Sequence, residues 1–118
     1  MDFARVLEKC RRGQWSANDL DWELPPRDLS VAEEEELVSY FTNMAAIERL
    51  ASALFREQRH RTRDPVLREV FASFVADEMR HSEVAARLAR RSDRRRLRRY
   101  RPHPALERFE PCFVDAVR

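Results

Sequence analysis

An all-α fold built around one long antiparallel helical hairpin is predicted by three features of the sequence. The chain has 118 residues and a single glycine, Gly13, which argues against a turn-rich β fold and excludes glycine-rich phosphate loops. Leu, Ala, Arg and Glu, which all suit helices, dominate the composition. Two long stretches, separated by an Asp64-Pro65 break, carry apolar side chains at spacings of three and four. The length allows one small domain.

Residues Phe3 to Arg12 read as a short helix with Phe3, Val6, Leu7 and Cys10 on one face, ended by Gly13. From Gln14 to Leu29 the pattern is loop-like, with Trp15, Trp22 and the Pro25-Pro26 pair. The two tryptophans are expected to cover the end of a helical core, since large aromatics are usually packed. Ser30 with Glu33 matches a capping box, and Glu33 to Glu36 set negative charge at the positive end of a helix dipole. That helix runs to about Thr62, about 50 Å at 1.5 Å per residue. Its stripe, expected to face inward, is Leu37, Phe41, Met44, Glu48, Ala51 and Phe55. Tyr40, two turns before Glu48, is read as a packing residue. Asp64 then caps a second helix with Pro65 at its first position, running to about Arg91. Its stripe is Phe71, Phe74, Glu78, His81, Ala85 and Leu88.

Beyond Arg91 the periodicity fails. Arg94, Arg95, Arg96, Arg98, Arg99 and Arg101 crowd a segment ending at Pro102-His103-Pro104. The favoured reading is a solvated basic connector. The alternative is an arm on which Arg94, Arg95, Arg96, Arg98 and Arg99 contact phosphate or another anion. Ala105 to Arg118, with Leu106, Phe109, Phe113, Val114 and Val117, resembles the start of a further helix. The chain thus divides into a short helix and loop (residues 1–29), a hairpin (30–92), and a basic connector with a helix start (93–118).

Composition narrows the functional classes. The net charge of +2, from 23 basic and 21 acidic residues, gives no bulk attraction to nucleic acid. Cys10 and Cys112 belong to no CxxC or Cys/His cluster, so two free thiols in a reducing cytoplasm are expected. No 7–15-residue apolar run of a signal peptide is visible at the N-terminus, and the longest apolar stretch, Val70 to Ala76, is too short to span a bilayer. A cytoplasmic protein without a membrane partner is expected.

The informative stretch is Asp77-Glu78-Met79-Arg80-His81. Positions three apart project from one helix face, so Glu78 and His81 point the same way, along an otherwise apolar line. A lone carboxylate there costs several kcal/mol or is forced neutral, roughly by the rules for buried charge; a metal ion removes the problem. Glu48 and Glu78 lie fifteen residues either side of Arg63, where the turn centres, and an antiparallel hairpin brings such positions to equal height. Glu48, Glu78 and His81 therefore converge, flanked by Ala45, Ala51, Ser52, Ser82 and Ala85. This coincidence carries more weight than the ExxH spacing alone, which recurs at Glu57-x-x-His60 among arginines near the turn and is read there as solvated polarity. Two carboxylates and an imidazole suit iron, manganese or zinc.

Glu48, the thirty-residue gap and the D-E-x-R-H form of residues 77–81 resemble the first half of the ferritin-like di-iron carboxylate superfamily, closest to its oxidase and oxygenase branches. The resemblance covers roughly Leu37 to Leu88. It implies that the hairpin is half of a ferritin-like four-helix bundle and that the cofactor is a pair of iron ions, or manganese. Glu48 and His81 would be terminal ligands and Glu78 a bridge; Asp77 would orient a histidine on another helix pair, with Arg80 beside it. The superfamily's second Glu and second ExxH are absent, so the metal pair needs another half-site. The preferred expectation is the N-terminal half of a longer O2-dependent oxidase or oxygenase, completed by a C-terminal half. Its alternatives are a homodimer that completes the site by symmetry, as a ferroxidase or iron-binding protein, and a non-catalytic helical module that binds a partner or nucleic acid through Arg94–Arg101.

Overall fold

The computed structural model describes residues 1–96 and 100–109. Three helices follow one another: α1 (Phe3–Arg12), α2 (Val31–Arg61) and α3 (Pro65–Ser92), with a 3₁₀ turn at Ala17–Asp19 between the first two. The described residues contain no strand. The long helices form the predicted antiparallel hairpin, and α1 lies along α3.

The helix starts follow from their caps. Asp2 accepts from the Arg5 N–H at 3.2 Å to open α1. At α2 the Ser30 hydroxyl accepts from the Glu33 N–H (3.2 Å), and the Glu33 carboxylate accepts from the Ser30 N–H (2.9 Å), so two orphan donors are satisfied reciprocally. The backbone N–H of Ser30 holds the Glu33 carboxyl below its ordinary pKa. Asp64 accepts from the Leu67 N–H at 2.9 Å, and Pro65 occupies a position whose N–H has no helical partner.

The seam between α2 and α3 differs from the stripes that periodicity points inward. Buried there are Val38, Thr42, Ala45, Ala46 and Ser52 from α2, and Val70, Ser82, Ala85 and Ala89 from α3. Of the two stripes only Ala85 is buried; Leu37, Phe41, Met44, Glu48, Ala51, Phe55, Phe71, Phe74, Glu78, His81 and Leu88 are all half-buried. Small side chains let the two backbones approach, as the Ser82 hydroxyl shows by donating 2.8 Å across to the Ala45 carbonyl. Bulky residues one helical step away are displaced to the flank. Phe55, Phe71 and Phe74 gather there with ring centroids 5.2–6.4 Å apart.

The molecule measures 50 × 33 × 17 Å. The thinnest dimension is about half the next, so the helices form a flat array. A radius of gyration of 16.9 Å, against about 13 Å for a compact domain of this length, agrees. Among the described residues, the only large side chains wholly withdrawn from solvent are Glu34 and Val38.

Of the two tryptophans, only Trp22 lies at the end of the hairpin, beside the last turns of α3. Trp22 lies under the Arg87 guanidinium (4.0 Å from the ring centroid) and donates its indole N–H to the Ala17 carbonyl at 2.7 Å. Trp15 sits over the middle of α3. Tyr40 is exposed rather than packed, its ring edge against Phe41.

At the far end of the hairpin Arg94 pairs with Asp28 at 2.7 Å, and Arg95 reaches Glu34 through its backbone N–H (2.5 Å) and its guanidinium. Tyr100 donates to Asp93; burial first, and then that carboxylate, push the phenol up to about 12. The chain returns along α2, where the His103 N–H donates to Asn43 Oδ1 at 2.7 Å. Residues 104–109 are helical, and Leu106 and Phe109 enclose, with Ile47, Leu50, Ala51 and Leu54, an apolar groove of about 320 Å³. Leu97, Arg98 and Arg99, and the rest of the anticipated final helix with Cys112, Phe113, Val114 and Val117, lie outside the described residues. No described helix is long and apolar enough to cross a membrane.

Candidate metal centre

The register of the hairpin follows from its turn: α2 ends at Arg61 and α3 begins at Pro65. Ala45 and Ser82 meet across the seam. Glu48 lies one turn beyond Ala45, and Glu78 one turn before Ser82, so the antiparallel run sets the two acids opposite each other. Glu48, Glu78 and His81 each offer a ligand atom, and these lie within 4.8 Å of one another. His81 Nδ1 is 3.3 Å from Glu78 Oε2 and 3.9 Å from Glu48 Oε2. The carboxylates are the sheltered members, with side chains 18% (Glu48) and 19% (Glu78) exposed against 42% for His81.

The electrostatics are those of a site short of positive charge. The Glu48 carboxyl is pushed up to about 7, first by its hydrogen bond to Glu78, then by burial and by the charge of Glu78; His81 pulls the other way without prevailing. Two carboxylates this close cannot both ionise cheaply. A divalent cation between them relieves the repulsion, and oxygen donors with one imidazole suit iron, manganese or zinc. The residues present therefore fit the group that the resemblance implies, as one half-site.

Around the triad the chain supplies contacts that spacing did not reveal. Asp77 Oδ1 accepts from the chain's own Arg80 and, at 3.0 Å, from Gln14 Nε2. Gln14 Nε2 also lies 2.9 Å from the Cys10 carbonyl and 3.1 Å from Ser73 Oγ, while Gln14 Oε1 accepts from Arg80 Nη1 at 3.0 Å. The Arg80 guanidinium lies over the Trp15 ring, 5.0 Å from its centroid. Trp15 also stacks on His81, with centroids 6.0 Å apart and planes inclined 28°. Asp77 and Arg80 are thus bound to each other and to Gln14. No periodicity could signal this, because Gln14 and Arg80 are separated by 66 residues.

The remaining candidates are placed elsewhere. Glu57 pairs with Arg61 at 3.3 Å and His60 is exposed, so the second ExxH forms no cluster with the triad. Of the basic segment, Arg94 and Arg95 are engaged with Asp28 and Glu34, and Arg96 is exposed. Searches against protein-family models, characterised proteins and solved structures return no match to this chain.

Proposed function

We propose that this chain supplies one half of a carboxylate-bridged di-iron centre of ferritin-like type, in a protein that uses dioxygen as an oxidase or oxygenase. The observation that carries the reading is the convergence of Glu48, Glu78 and His81 from two helices within 4.8 Å, in a setting that raises the Glu48 carboxyl. Glu78 would bridge two metal ions, and Glu48 and His81 would each bind one. Iron held there supplies redox chemistry with dioxygen. The protein's own part is to keep two acids and an imidazole on one face, with the Phe55, Phe71 and Phe74 rings further along it toward the turn. That face is only half covered by this chain, which suits a second half-site arriving from a C-terminal hairpin.

The same half-covered face favours one other reading, a homodimer in which two copies complete the site by symmetry and act as a ferroxidase or iron store. A helical module that binds nucleic acid through Arg94–Arg101 is less well supported, because Arg94 and Arg95 are already paired with acids of their own chain.

Native mass spectrometry of the full chain, loaded with Fe(II) without oxygen and stripped of loose metal, tests the proposal. Iron retained by the wild type and lost on Glu78→Ala is the expected result. Two irons per dimer would select the symmetric assembly over the two-hairpin chain. Iron retention that survives Glu78→Ala would overturn the ligand assignment, and an iron-free wild-type monomer would rule out the symmetric assembly in favour of a half-site that needs its C-terminal hairpin or a metal-free descendant of one.

A further inference from the structure

We infer that Trp15 is a positioning residue for His81, so that the N-terminal helix and loop, which lie outside the hairpin, fix the ring of a metal ligand. The inference rests on the reading of His81 as a ligand. Of the three ligand side chains His81 is the most exposed, at 42%. Glu48 and Glu78 are sheltered, with side chains 18% and 19% exposed, whereas a largely exposed imidazole exchanges between rotamers on the picosecond-to-nanosecond scale. The stacked indole removes that freedom on one side of the ring. Such a contact orients the imidazole without using either of its nitrogens, leaving Nδ1 toward Glu78 and Glu48.

Trp15 is itself held by a chain of polar contacts rather than by burial, for it is 37% exposed. Its neighbour Gln14 is clamped at both ends of its amide: the nitrogen meets the Cys10 carbonyl, Ser73 and Asp77, and the oxygen accepts from Arg80. Arg80, tied to Asp77, then lies over the indole and adds a cation–π attraction. Ser73, Asp77 and Arg80 recur at spacings of four and three on α3, which makes one face of the helix a track for residues 14 and 15. Two of the five residues in the D-E-x-R-H run, Asp77 and Arg80, therefore act through Trp15 on a third, His81.

The experiment measures His81 first without metal and then with it. In the metal-free full chain, NMR of the His81 side chain reports ring-current shifts and three-bond couplings. Trp15→Leu is expected to abolish the shifts and average the couplings, Trp15→Phe to restore both in part, and Trp22→Leu to leave both unchanged. In Co(II) titrations followed by visible absorption, Trp15→Leu should weaken binding about three- to tenfold, the size of one aromatic contact. Gln14→Ala should act in the same direction. Unchanged couplings in Trp15→Leu, with Co(II) binding intact, would overturn the positioning role alone. Wild-type protein that binds no Co(II) would overturn the ligand reading and this role together.

Discussion

Glu34 and Glu48 lie on the same face-to-face helix, fourteen residues apart, and both are drawn away from water. Their surroundings are opposite. Burial alone would raise the Glu34 pKa, yet the backbone N–H, guanidinium and charge of Arg95 outweigh it and leave the carboxyl below its ordinary value. Glu48 meets another carboxylate instead, and its pKa rises to about 7. A sheltered acid with its own cation is a structural tie, here joining the start of α2 to the exit of α3. A sheltered acid facing a second acid is a place where the chain leaves positive charge to be supplied from outside, and that difference separates fold from function along one helix.

Removing the cation from the first site should give the largest change. Arg95→Ala leaves Glu34 wholly buried with only a backbone donor, and thermal unfolding should occur roughly 5–10 °C lower; an unchanged midpoint would show that Arg95 is not what holds Glu34.

The second site should respond to pH in the reverse sense to an ordinary paired acid. The folded-state pKa of Glu48 lies above its unfolded value, so the folded chain binds the extra proton and the destabilisation is absent below about 4.5. It grows as pH rises toward 7 and is complete above it. Urea unfolding of the metal-free protein should show the Glu48 contribution falling by on the order of 1 kcal/mol between pH 5 and pH 8, read as the difference from Glu48→Gln. A divalent ion that binds the site should offset this loss at pH 8; parallel pH curves for wild type and Glu48→Gln would contradict the assignment. Smallest of all should be Arg94→Ala, which removes an ion pair to a fully exposed Asp28. Such pairs are worth about 0–1 kcal/mol, so a clear destabilisation would mean that the end clasp acts as one unit with Arg95.

The helix ends were legible because each is marked by local chemistry: the Ser30 and Glu33 box, the Asp64-Pro65 start and the Gly13 stop lie within a few residues of the boundaries they set. The meeting of Glu48, Glu78 and His81 was legible for a related reason, since equal distances from a tight turn fix equal height. The seam was not. Periodicity identifies the apolar side of a helix but not which of two neighbouring rows touches its partner, and Ala45, Ser82 and Ala89 take the contact because they permit a closer approach than Phe41 or Phe74. Glu34 was hidden inside an acidic run whose other members, such as Glu33, do cap the helix. Trp15 was hidden because the clamp on Gln14 joins residues far apart in sequence and belongs to no repeat.

The flat shape of the molecule, 17 Å in its thinnest dimension, has a thermodynamic consequence. A flat array whose large apolar side chains are half-buried gains most of its remaining apolar stabilisation only when something lies against its open face, so its folding free energy is linked by mass action to the supply of that second layer. If the layer is another copy, dilution acts as a denaturant and the unfolding temperature climbs with protein concentration. If it is joined to the same chain, the unfolding temperature is independent of concentration, and cutting the connection lowers it.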